Sequence, residues 1–303
     1  MKVLLFGSNG QVGWELQRAL APLGELTALD FDSVGPWRAD FAHPESLADT
    51  VRALQPDVIV NAAAHTAVDR AESEPALARK LNAEAPAVLA REAAARGAWL
   101  VHYSTDYVFD GSGDAPRAED APTGPLNVYG TTKLEGEEAI RASGARHLLF
   151  RTSWVYGTRG GNFARTMLRL ARDRDRLAVI DDQVGAPTGA ELLADVTAHA
   201  IRAVVRDAAP GGTYHLVAGG ETSWHGYACR VIEAARAAGA PVKVAADAIV
   251  AVPSSEFATA AQRPKNSRLD TSLLRRTFAL DLPPWQAGVD RMLVELLTDT
   301  ESR

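Results

Sequence analysis

The sequence predicts an α/β protein with a doubly wound parallel sheet and a smaller C-terminal lobe. Three observations predict this fold. Five short apolar runs alternate with segments of helical periodicity, a glycine-rich turn follows the first run, and the alternation loosens after about residue 157. At 303 residues the chain is long enough for two lobes. We therefore assign residues 1–157 to a first domain, completed by elements within 177–217, and residues 158–303 mainly to an interleaved second lobe.

The five apolar runs are continuous, which is typical of parallel strands that are buried on both faces. Helical spacing of apolar residues predicts the segments between them. The predicted strands cover 3–6, 26–29, 57–60, 99–103 and 147–150, and the predicted helices cover 14–20, 44–54, 75–96 and 128–141. Further along the chain we predict helices at 162–172, 190–206, 224–237 and 285–298, and strands at 177–180 and 214–217.

Three glycines separate the first strand from the first helix. Gly7, Gly10 and Gly13 form a G-x-x-G-x-x-G turn that includes Gln11 and Val12. Glycine lets the backbone turn tightly and approach a pyrophosphate, whose charge meets the free N–H groups of a helix N-terminus. The turn therefore predicts a dinucleotide site in a Rossmann-like domain, although its spacing differs from the G-x-G-x-x-G of many dehydrogenases.

An acidic residue follows the second strand. Asp30 stands about where a carboxylate accepts hydrogen bonds from the adenosine ribose hydroxyls. It favours NAD over NADP, because a carboxylate repels a 2′-phosphate. The alternative is a polar strand end without a ligand. Asp40 and Phe41 follow at a spacing that suits residues flanking the adenine.

Small and polar residues follow the third and fourth strands. Ala62, Ala63 and Ala64 would let a flat ligand approach the backbone closely, so we expect a cofactor wall there. Ser104 and Thr105 follow the fourth strand, where a hydroxyl can hydrogen-bond a substrate carbonyl or only cap a turn. All these motifs lie at the carboxyl ends of parallel strands, where ligands bind in such sheets.

Tyr129 and Lys133 lie four residues apart in the predicted helix at 128–141 and therefore share one face. A free phenol has a pKa near ~10, and an adjacent ammonium favours the phenolate, which would suit acid–base chemistry near neutral pH. The alternative is one core contact and one solvated charge. Because the other motifs also lie at the strand ends that border this crevice, we favour the catalytic interpretation.

The composition excludes several classes of protein. With 32 Lys and Arg against 38 Asp and Glu, the net charge of −6 gives no broad reason to bind nucleic acid or an anionic membrane. Cys229 is the single cysteine, so we expect no internal disulfide and no thiolate metal site. A glycine follows the first apolar run at once, so we expect no signal-peptide core there. No apolar run approaches the ~20 residues that a membrane-spanning helix needs. We expect a soluble, cytoplasmic protein.

A basic run interrupted by proline spans residues 263–268. Such a run can be a phosphate-binding loop, and the alternative is a solvated connector. The seven histidines, in contrast, are scattered without metal-ligand spacing.

The chain resembles the extended short-chain dehydrogenase/reductases. The glycine turn, Asp30, the alanine-rich strand exit, Thr105 and Tyr129-x-x-x-Lys133 occur in the order typical of that family. Longer strings extend the resemblance over essentially the whole chain. They are FGSNGQVG at 6–13, NAAAHTAVD at 61–69, YSTDYVF at 103–109, RTSWVY at 151–156 and RPKNS at 263–267.

The resemblance implies reduction of the C4 keto group of a nucleotide-linked sugar, with hydride from NADH or NADPH. It makes Tyr129 the proton donor. Lys133 would lower the pKa of Tyr129 and hold the nicotinamide ribose, and Thr105 would hydrogen-bond the same sugar oxygen. The other implied residues are Gly7, Gly10, Gln11, Val12, Gly13, Asp30, Asp40, Phe41, Ala63, Ala64, His65 and Tyr103 for the cofactor, and Trp154, Arg263 and Asn266 for the substrate.

The resemblance also implies a homodimer with Mg²⁺ at its interface, held by Glu15, Glu191 and Glu295. From the residues alone these glutamates are surface charges. Two other functions stay open on this fold. An epimerase or dehydratase would retain its NAD through both half-reactions. A non-catalytic regulatory subunit would keep the glycine turn but tend to lose Tyr129 and Lys133, and their presence argues against it.

Overall fold

The structure is a computed structural model that describes residues 1–301, so the last two residues of the predicted second lobe lie outside it. Its strands are β1 (Lys2–Phe6), β2 (Glu25–Leu29), β3 (Val58–Asn61), β4 (Trp99–Thr105), β5 (Arg146–Thr152), β6 (Val155–Tyr156), β7 (Leu177–Ile180), β8 (Val184–Gly185), β9 (Thr188–Gly189), β10 (Gly212–His215), β11 (Thr222–Ser223) and β12 (Ile249–Val252). Its helices are α1 (Gln11–Leu20), α2 (Pro44–Leu54), α3 (Val68–Ser73), α4 (Pro75–Arg79), α5 (Ala85–Arg96), α6 (Val128–Ala142), α7 (Phe163–Asp173), α8 (Ala190–Val205), α9 (Trp224–Ala237), α10 (Ser272–Phe278) and α11 (Trp285–Glu301).

Six strands form one parallel sheet in the order β2-β1-β3-β4-β5-β10. The order changes direction between β1 and β3, and this switch point is where a crevice opens beyond the carboxyl ends of the strands. The predicted doubly wound, Rossmann-like fold is therefore confirmed. The sixth strand, β10, comes from beyond residue 157 and pairs with β5. The division into two lobes at residue 157 stays a prediction.

Helices cover the sheet on both faces, which is why its strands are continuously apolar. Along β1, Leu5 belongs to the core under α1 and α8 with Leu16, and Leu4 belongs to the core under α2 and α5 with Leu47. All four side chains are buried. Truncating such a leucine to alanine costs about 2–5 kcal/mol. The sheet is thus a stiff platform, and the site is built on the ends of its strands.

A third core lies among the later helices. α7, α9 and α11 contribute to it, and the rings of Tyr227 and Trp285 meet edge to face at 5.8 Å. Beside these helices β7 pairs in parallel with β12, so the predicted strand at 177–180 forms outside the main sheet. Within residues 1–301, no helix combines the length and the apolar character needed to cross a membrane.

Several elements differ from the sequence prediction, each for a local reason. α1 begins at Gln11, so Gly13 lies inside its first turn. The predicted helix at 75–96 contains a π-helical turn, Lys80–Glu84, between α4 and α5, which apolar periodicity cannot reveal. The short elements α3, α10 and β12 have no strong pattern of their own and were not predicted.

Candidate active site

A cleft of about 730 Å³ opens at the carboxyl ends of the central strands. It brings together most of the site residues predicted in the first half of the chain, together with Trp154. Those that line it are Gly7, Gly10, Gln11, Val12, Asp30, Asp40, Phe41, Ala63, Ala64, Tyr103, Thr105, Tyr129, Lys133 and Trp154. A cleft of this size is ample for a cofactor and a small-molecule substrate.

The glycine turn is shaped by close backbone contacts. Gly7 has φ +82°, and a Cβ there would lie 2.6 Å from the amide nitrogen of Ala63. A Cβ on Gly13 would lie 1.9 Å from the carbonyl oxygen of Gly7, so both positions exclude a side chain. Gly10 precedes α1 and has no side chain with which to cap it, which leaves the N–H groups of the first turn available. An anionic pyrophosphate fits this cradle.

Two acidic residues, Asp30 and Asp40, also line the cleft. The Asp30 carboxylate accepts the N–H of Asn9 at 2.8 Å, so it braces the glycine turn while it lines the cleft. Asp40 shares a hydrogen bond with His43 Nδ1 at 2.8 Å. Burial acts to raise the pKa of Asp40, but hydrogen bonds from His43 and from the backbone outweigh burial and leave the pKa below its usual range. Both carboxylates are therefore placed by local contacts.

Tyr129 lies in the first turn of α6, which begins where the Asn127 side chain accepts the N–H of Gly130 at 2.8 Å. Tyr129 and Thr105 both line the cleft. The Thr105 hydroxyl accepts the N–H of Tyr107 at 3.2 Å and donates to Asp106 Oδ1 at 3.1 Å, so it caps the turn after β4. The Tyr107 ring packs edge-on against Tyr129, with ring centroids 5.6 Å apart. The cleft lining thus contains both the phenol of Tyr129 and the hydroxyl-bearing Thr105.

Lys133 is buried, and its amine turns toward β4. Its Nζ donates to the carbonyl of Tyr103 at 2.5 Å and lies 3.1 Å from His102 Nε2. Burial lowers the pKa of Lys133 to about 8, against the opposing charge of Glu137. The pKa of Tyr129 is raised to about 12, because burial outweighs the hydrogen bond from Thr105. The expectation that Lys133 lowers the pKa of Tyr129 is therefore not met in this structure.

Comparison with known proteins identifies the family. The family model described as RmlD substrate binding domain matches residues 1–298. A dTDP-4-dehydrorhamnose reductase of Shigella flexneri is 59% identical over 99% of each chain. The chain belongs to the dTDP-4-dehydrorhamnose reductase family.

Two solved structures of dTDP-4-dehydrorhamnose reductases share the fold over nearly the whole chain. The one from Clostridium acetobutylicum has a TM-score of 0.86 at 34% identity, covering 98% of this chain and 100% of its own. The one from Bacillus anthracis, in complex with NADP, has a TM-score of 0.84 at 32% identity, covering 97% of this chain and 99% of its own. The cleft described above therefore belongs to a reductase fold.

In this member of the dTDP-4-dehydrorhamnose reductase family, the π-helical turn carries Asn82. Its Oδ1 accepts the N–H of His65 at 2.8 Å, and its Nδ2 donates to the His65 carbonyl and to Thr132 Oγ1, both at 3.1 Å. Asn82 therefore ties the predicted cofactor segment at His65 to α6, which carries Tyr129 and Lys133. The His65 side chain itself is buried and lies 3.7 Å from Glu74, away from the cleft lining. In the sequence, Asn82 stands out only because asparagine is a weak helix former and lies inside the predicted helix at 75–96.

The wall near the predicted sugar position is aromatic. Trp154 has φ +50°, a conformation that is uncommon outside glycine and often occurs at functional sites. Its ring stacks on Trp224, with centroids 3.7 Å apart and an interplanar angle of 13°. Trp224 also lines the cleft and was not predicted, because it lies far along the chain and its pattern is that of a helix start.

Three side chains of the basic run at 263–268 form ion pairs with carboxylates. Asn266 is buried and donates to the carbonyl of Ala115 at 2.9 Å, so it braces a loop and does not line the cleft. Arg263 likewise lies off the lining, and the substrate roles of both residues stay predictions. The ion pairs are Arg263–Asp69 at 2.6 Å, Lys265–Asp182 at 2.9 Å and Arg268–Glu221 at 2.7 Å.

The three glutamates predicted to hold Mg²⁺ do not form a metal site within one chain. The Arg291 guanidinium lies 3.8 Å from Glu191 and 3.6 Å from Glu295, while Glu15 pairs with Arg18 at 3.4 Å. In the described part of the chain, no three His, Cys, Asp or Glu side chains are grouped so as to hold a metal ion. Arginine therefore supplies the positive charge at these carboxylates.

Proposed function

We propose that the chain reduces the C4 keto group of dTDP-4-dehydro-β-L-rhamnose to dTDP-L-rhamnose, with hydride from NADH or NADPH and with Tyr129 as the proton donor. The observation that carries the proposal is that Tyr129, Lys133 and Thr105 line the same cleft as the glycine turn. The names of relatives that are 59% and 58% identical support the choice of substrate.

Reduction of a ketone requires a hydride at carbon and a proton at oxygen. A bound nicotinamide supplies the hydride. Tyr129 holds the proton at neutral pH, because its pKa is about 12, and donates it to the C4 oxygen. The Thr105 hydroxyl hydrogen-bonds the same oxygen, and Lys133 holds the nicotinamide ribose. Trp154 provides the apolar wall on the sugar side.

The experiment that tests this function mixes the protein with dTDP-4-dehydro-L-rhamnose and NADH and follows the nicotinamide absorbance. A reductase consumes NADH in proportion to the substrate. An epimerase, which retains its cofactor through both half-reactions, gives no net change. Absence of NADH consumption with this substrate would overturn the proposal.

Tyr129→Phe tests the proton donor while keeping the ring that packs against Tyr107. We expect turnover to fall by roughly 10²–10⁴-fold with NADH binding intact. Tyr214→Phe is a matched control, because the Tyr214 hydroxyl donates to the carbonyl of Pro210 outside the cleft. Turnover retained in Tyr129→Phe would remove Tyr129 from the chemistry.

We also propose a preference for NADH over NADPH, because the Asp30 carboxylate repels a 2′-phosphate. The KM for NADH should be the lower one, and Asp30→Asn should narrow the difference while its amide oxygen can still accept the N–H of Asn9. Asp32→Asn, which removes the same charge two residues away, is the control. Equal constants in the unmodified protein, or a preference for NADPH, would contradict the prediction.

The proposal includes a homodimer, as the family resemblance implies. Light scattering with and without a chelator tests the dimer and the interface Mg²⁺ together. A dimer that survives the chelator supports an interface independent of Mg²⁺, in line with Arg291 at Glu191 and Glu295. The mass of a single chain would contradict the dimer.

A further inference from the structure

Three aromatic rings follow one another from the cleft to the core among α7, α9 and α11. Trp154 and Trp224 lie nearly parallel, with ring centroids 3.7 Å apart and an interplanar angle of 13°. Phe163 of α7 packs in turn on Trp224, with centroids 4.6 Å apart and an interplanar angle of 50°. Both tryptophans line the cleft, while Phe163 and Trp224 pack against the core. Trp224 therefore connects the cleft wall to a packed interior.

Trp224 is fixed by contacts that do not involve Trp154. It is the first residue of α9, which begins where the Ser223 hydroxyl accepts the N–H of Gly226 at 3.0 Å. The indole Nε1 donates to Gln183 Oε1 at 3.2 Å, and Gln183 is buried. β11, which ends at Ser223, pairs with β8, which begins just after Gln183. Helix start, hydrogen bond and strand pairing thus hold Trp224 in place.

Trp154, in contrast, has an unfavourable backbone conformation. Its φ of +50° lies in the left-handed region, which bulky residues rarely adopt and which persists only where the surroundings hold it. Trp224 covers one face of the indole, and Gly185 lies so close that a Cβ there would be 3.0 Å from Trp154 Cε2. The Trp154 carbonyl accepts the N–H of Thr188 at 3.2 Å. Neighbouring residues, and not backbone preference, therefore set the orientation of the indole.

The indole of Trp154 offers an apolar surface to a ligand in the cleft. It is half-buried, and because Trp224 covers one of its faces, the other face is the one left to the ligand. The C–H groups on one side of a sugar ring suit such a face, since the electron-rich face of an aromatic ring attracts slightly positive hydrogens. A diphosphate has no such surface. An indole of fixed orientation therefore recognises the sugar part of a nucleotide-linked sugar.

We propose that Trp224 is a positioning residue that holds the indole of Trp154 in the orientation that binds the sugar of the nucleotide-linked substrate. This inference rests on the proposed function, in which Trp154 forms the wall on the sugar side. Trp224 acts on substrate binding through Trp154 and takes no part in hydride or proton transfer. A contact made equally with bound substrate and transition state lowers KM and leaves kcat unchanged.

Trp224→Leu removes the ring that supports Trp154 and keeps an apolar side chain at the start of α9. We expect the KM for dTDP-4-dehydro-L-rhamnose to rise roughly 2- to 10-fold, which corresponds to the loss of one aromatic pair. The kcat and the KM for NADH should not change. Trp224→Phe keeps a ring that can stack and should restore most of the affinity. An unchanged KM in Trp224→Leu, or an equal rise in Trp224→Phe, would overturn the proposal.

A double-mutant cycle with Trp154→Leu distinguishes positioning from an independent effect of Trp224. If Trp224 acts only through Trp154, Trp224→Leu should raise KM by less than about twofold in the Trp154→Leu background. Effects that multiply would overturn the positioning role. If Trp224→Leu does not fold, Gly185→Ala replaces it, because the new Cβ would lie 3.0 Å from Trp154 Cε2 and displace the indole while every ring is retained. It should raise the same KM, and an unchanged KM would again overturn the proposal.

Calorimetric titrations with dTDP-L-rhamnose and with dTDP test the same inference without turnover. We expect Trp224→Leu to weaken the binding of dTDP-L-rhamnose by a similar factor and to leave the binding of dTDP unchanged. Equal weakening of both would place the stack at the nucleotide and overturn the proposal. If the unmodified protein binds dTDP-L-rhamnose but consumes no NADH with the substrate, the proposed reduction fails while the titrations still decide the role of Trp224. Absence of dTDP-L-rhamnose binding would overturn both.

Trp14→Leu is the matched control for these experiments. Trp14 lies on α1, outside the cleft lining, with the Arg159 guanidinium 3.3 Å from its ring centroid. The variant loses a tryptophan by the same substitution and should leave the KM for the sugar substrate and both binding affinities unchanged. A rise in KM equal to that of Trp224→Leu would show that the effect is not specific to the stack and would overturn the proposal.

Discussion

Gly13→Ala isolates the steric demand of the glycine turn. Inside a helix, alanine is ordinarily more stable than glycine by about 0.5–1 kcal/mol. At this position the new Cβ would lie 1.9 Å from the carbonyl oxygen of Gly7, so the turn must move away from α1. Overpacking of this kind costs about 1–3 kcal/mol, which exceeds the helix gain. The same movement displaces Gly7 and Gly10, so we expect weaker NADH binding as well.

Urea unfolding and a fluorescence titration with NADH measure the two effects. Gly161→Ala is the control for stability, since its Cβ would meet no described atom within 4 Å. Gly10→Ala separates the effects, because its Cβ would lie 3.4 Å from the Gly7 oxygen, without a severe clash, while Gly10 itself lines the cleft. We expect Gly10→Ala to weaken NADH binding with little loss of stability. A Gly13→Ala protein as stable as the unmodified chain would refute the reasoning.

Two further predictions concern buried charge. Arg151→Met leaves the Glu137 carboxylate buried without its main partner and should lower the free energy of unfolding in urea by about 3–5 kcal/mol. The control Lys243→Met breaks an exposed ion pair at 2.8 Å and should lower it by less than about 1 kcal/mol. Equal losses in the two variants would contradict the argument. Burial raises the pKa of Asp106 to about 7 although its hydrogen bonds oppose the shift, so the native state binds a proton that the unfolded chain releases above about pH 4. Stability should therefore fall as pH rises from about 4 to about 7. Asp106→Asn should flatten the dependence of Tm on pH in that window. An unchanged slope would show that Asp106 is not the group responsible.

The fold and the location of the cleft were predictable because they depend on pattern and chain order. Continuous apolar runs fix which segments are buried parallel strands, and parallel strands bring their carboxyl ends to one edge. Gly7, Asp30, Ala63, Thr105 and Tyr129 all follow strand ends or begin a helix there, and the cleft contains them all. No contact between distant side chains had to be known for this step.

The remaining features depend on contacts between distant segments, which periodicity does not contain. Trp224 reaches the cleft because its ring stacks on Trp154, and Asn82 matters because a π-helical turn directs its amide toward His65. The basic residues near Arg263 are visible in the sequence, but their carboxylate partners, such as Asp69, are not. In each case the type of residue was visible in the sequence and its partner was not.

The spacing of Tyr129 and Lys133 fixes a shared helix face but not what the two side chains touch. The four-carbon stem of lysine carries its amine across to His102 on β4, while the Tyr129 ring packs against Tyr107. Burial, and not the ammonium, therefore dominates the pKa of Tyr129. In the proposed reaction this arrangement suits reduction, because the phenol would stay protonated until hydride transfer makes the C4 oxygen an alkoxide, which is a stronger base than a phenolate.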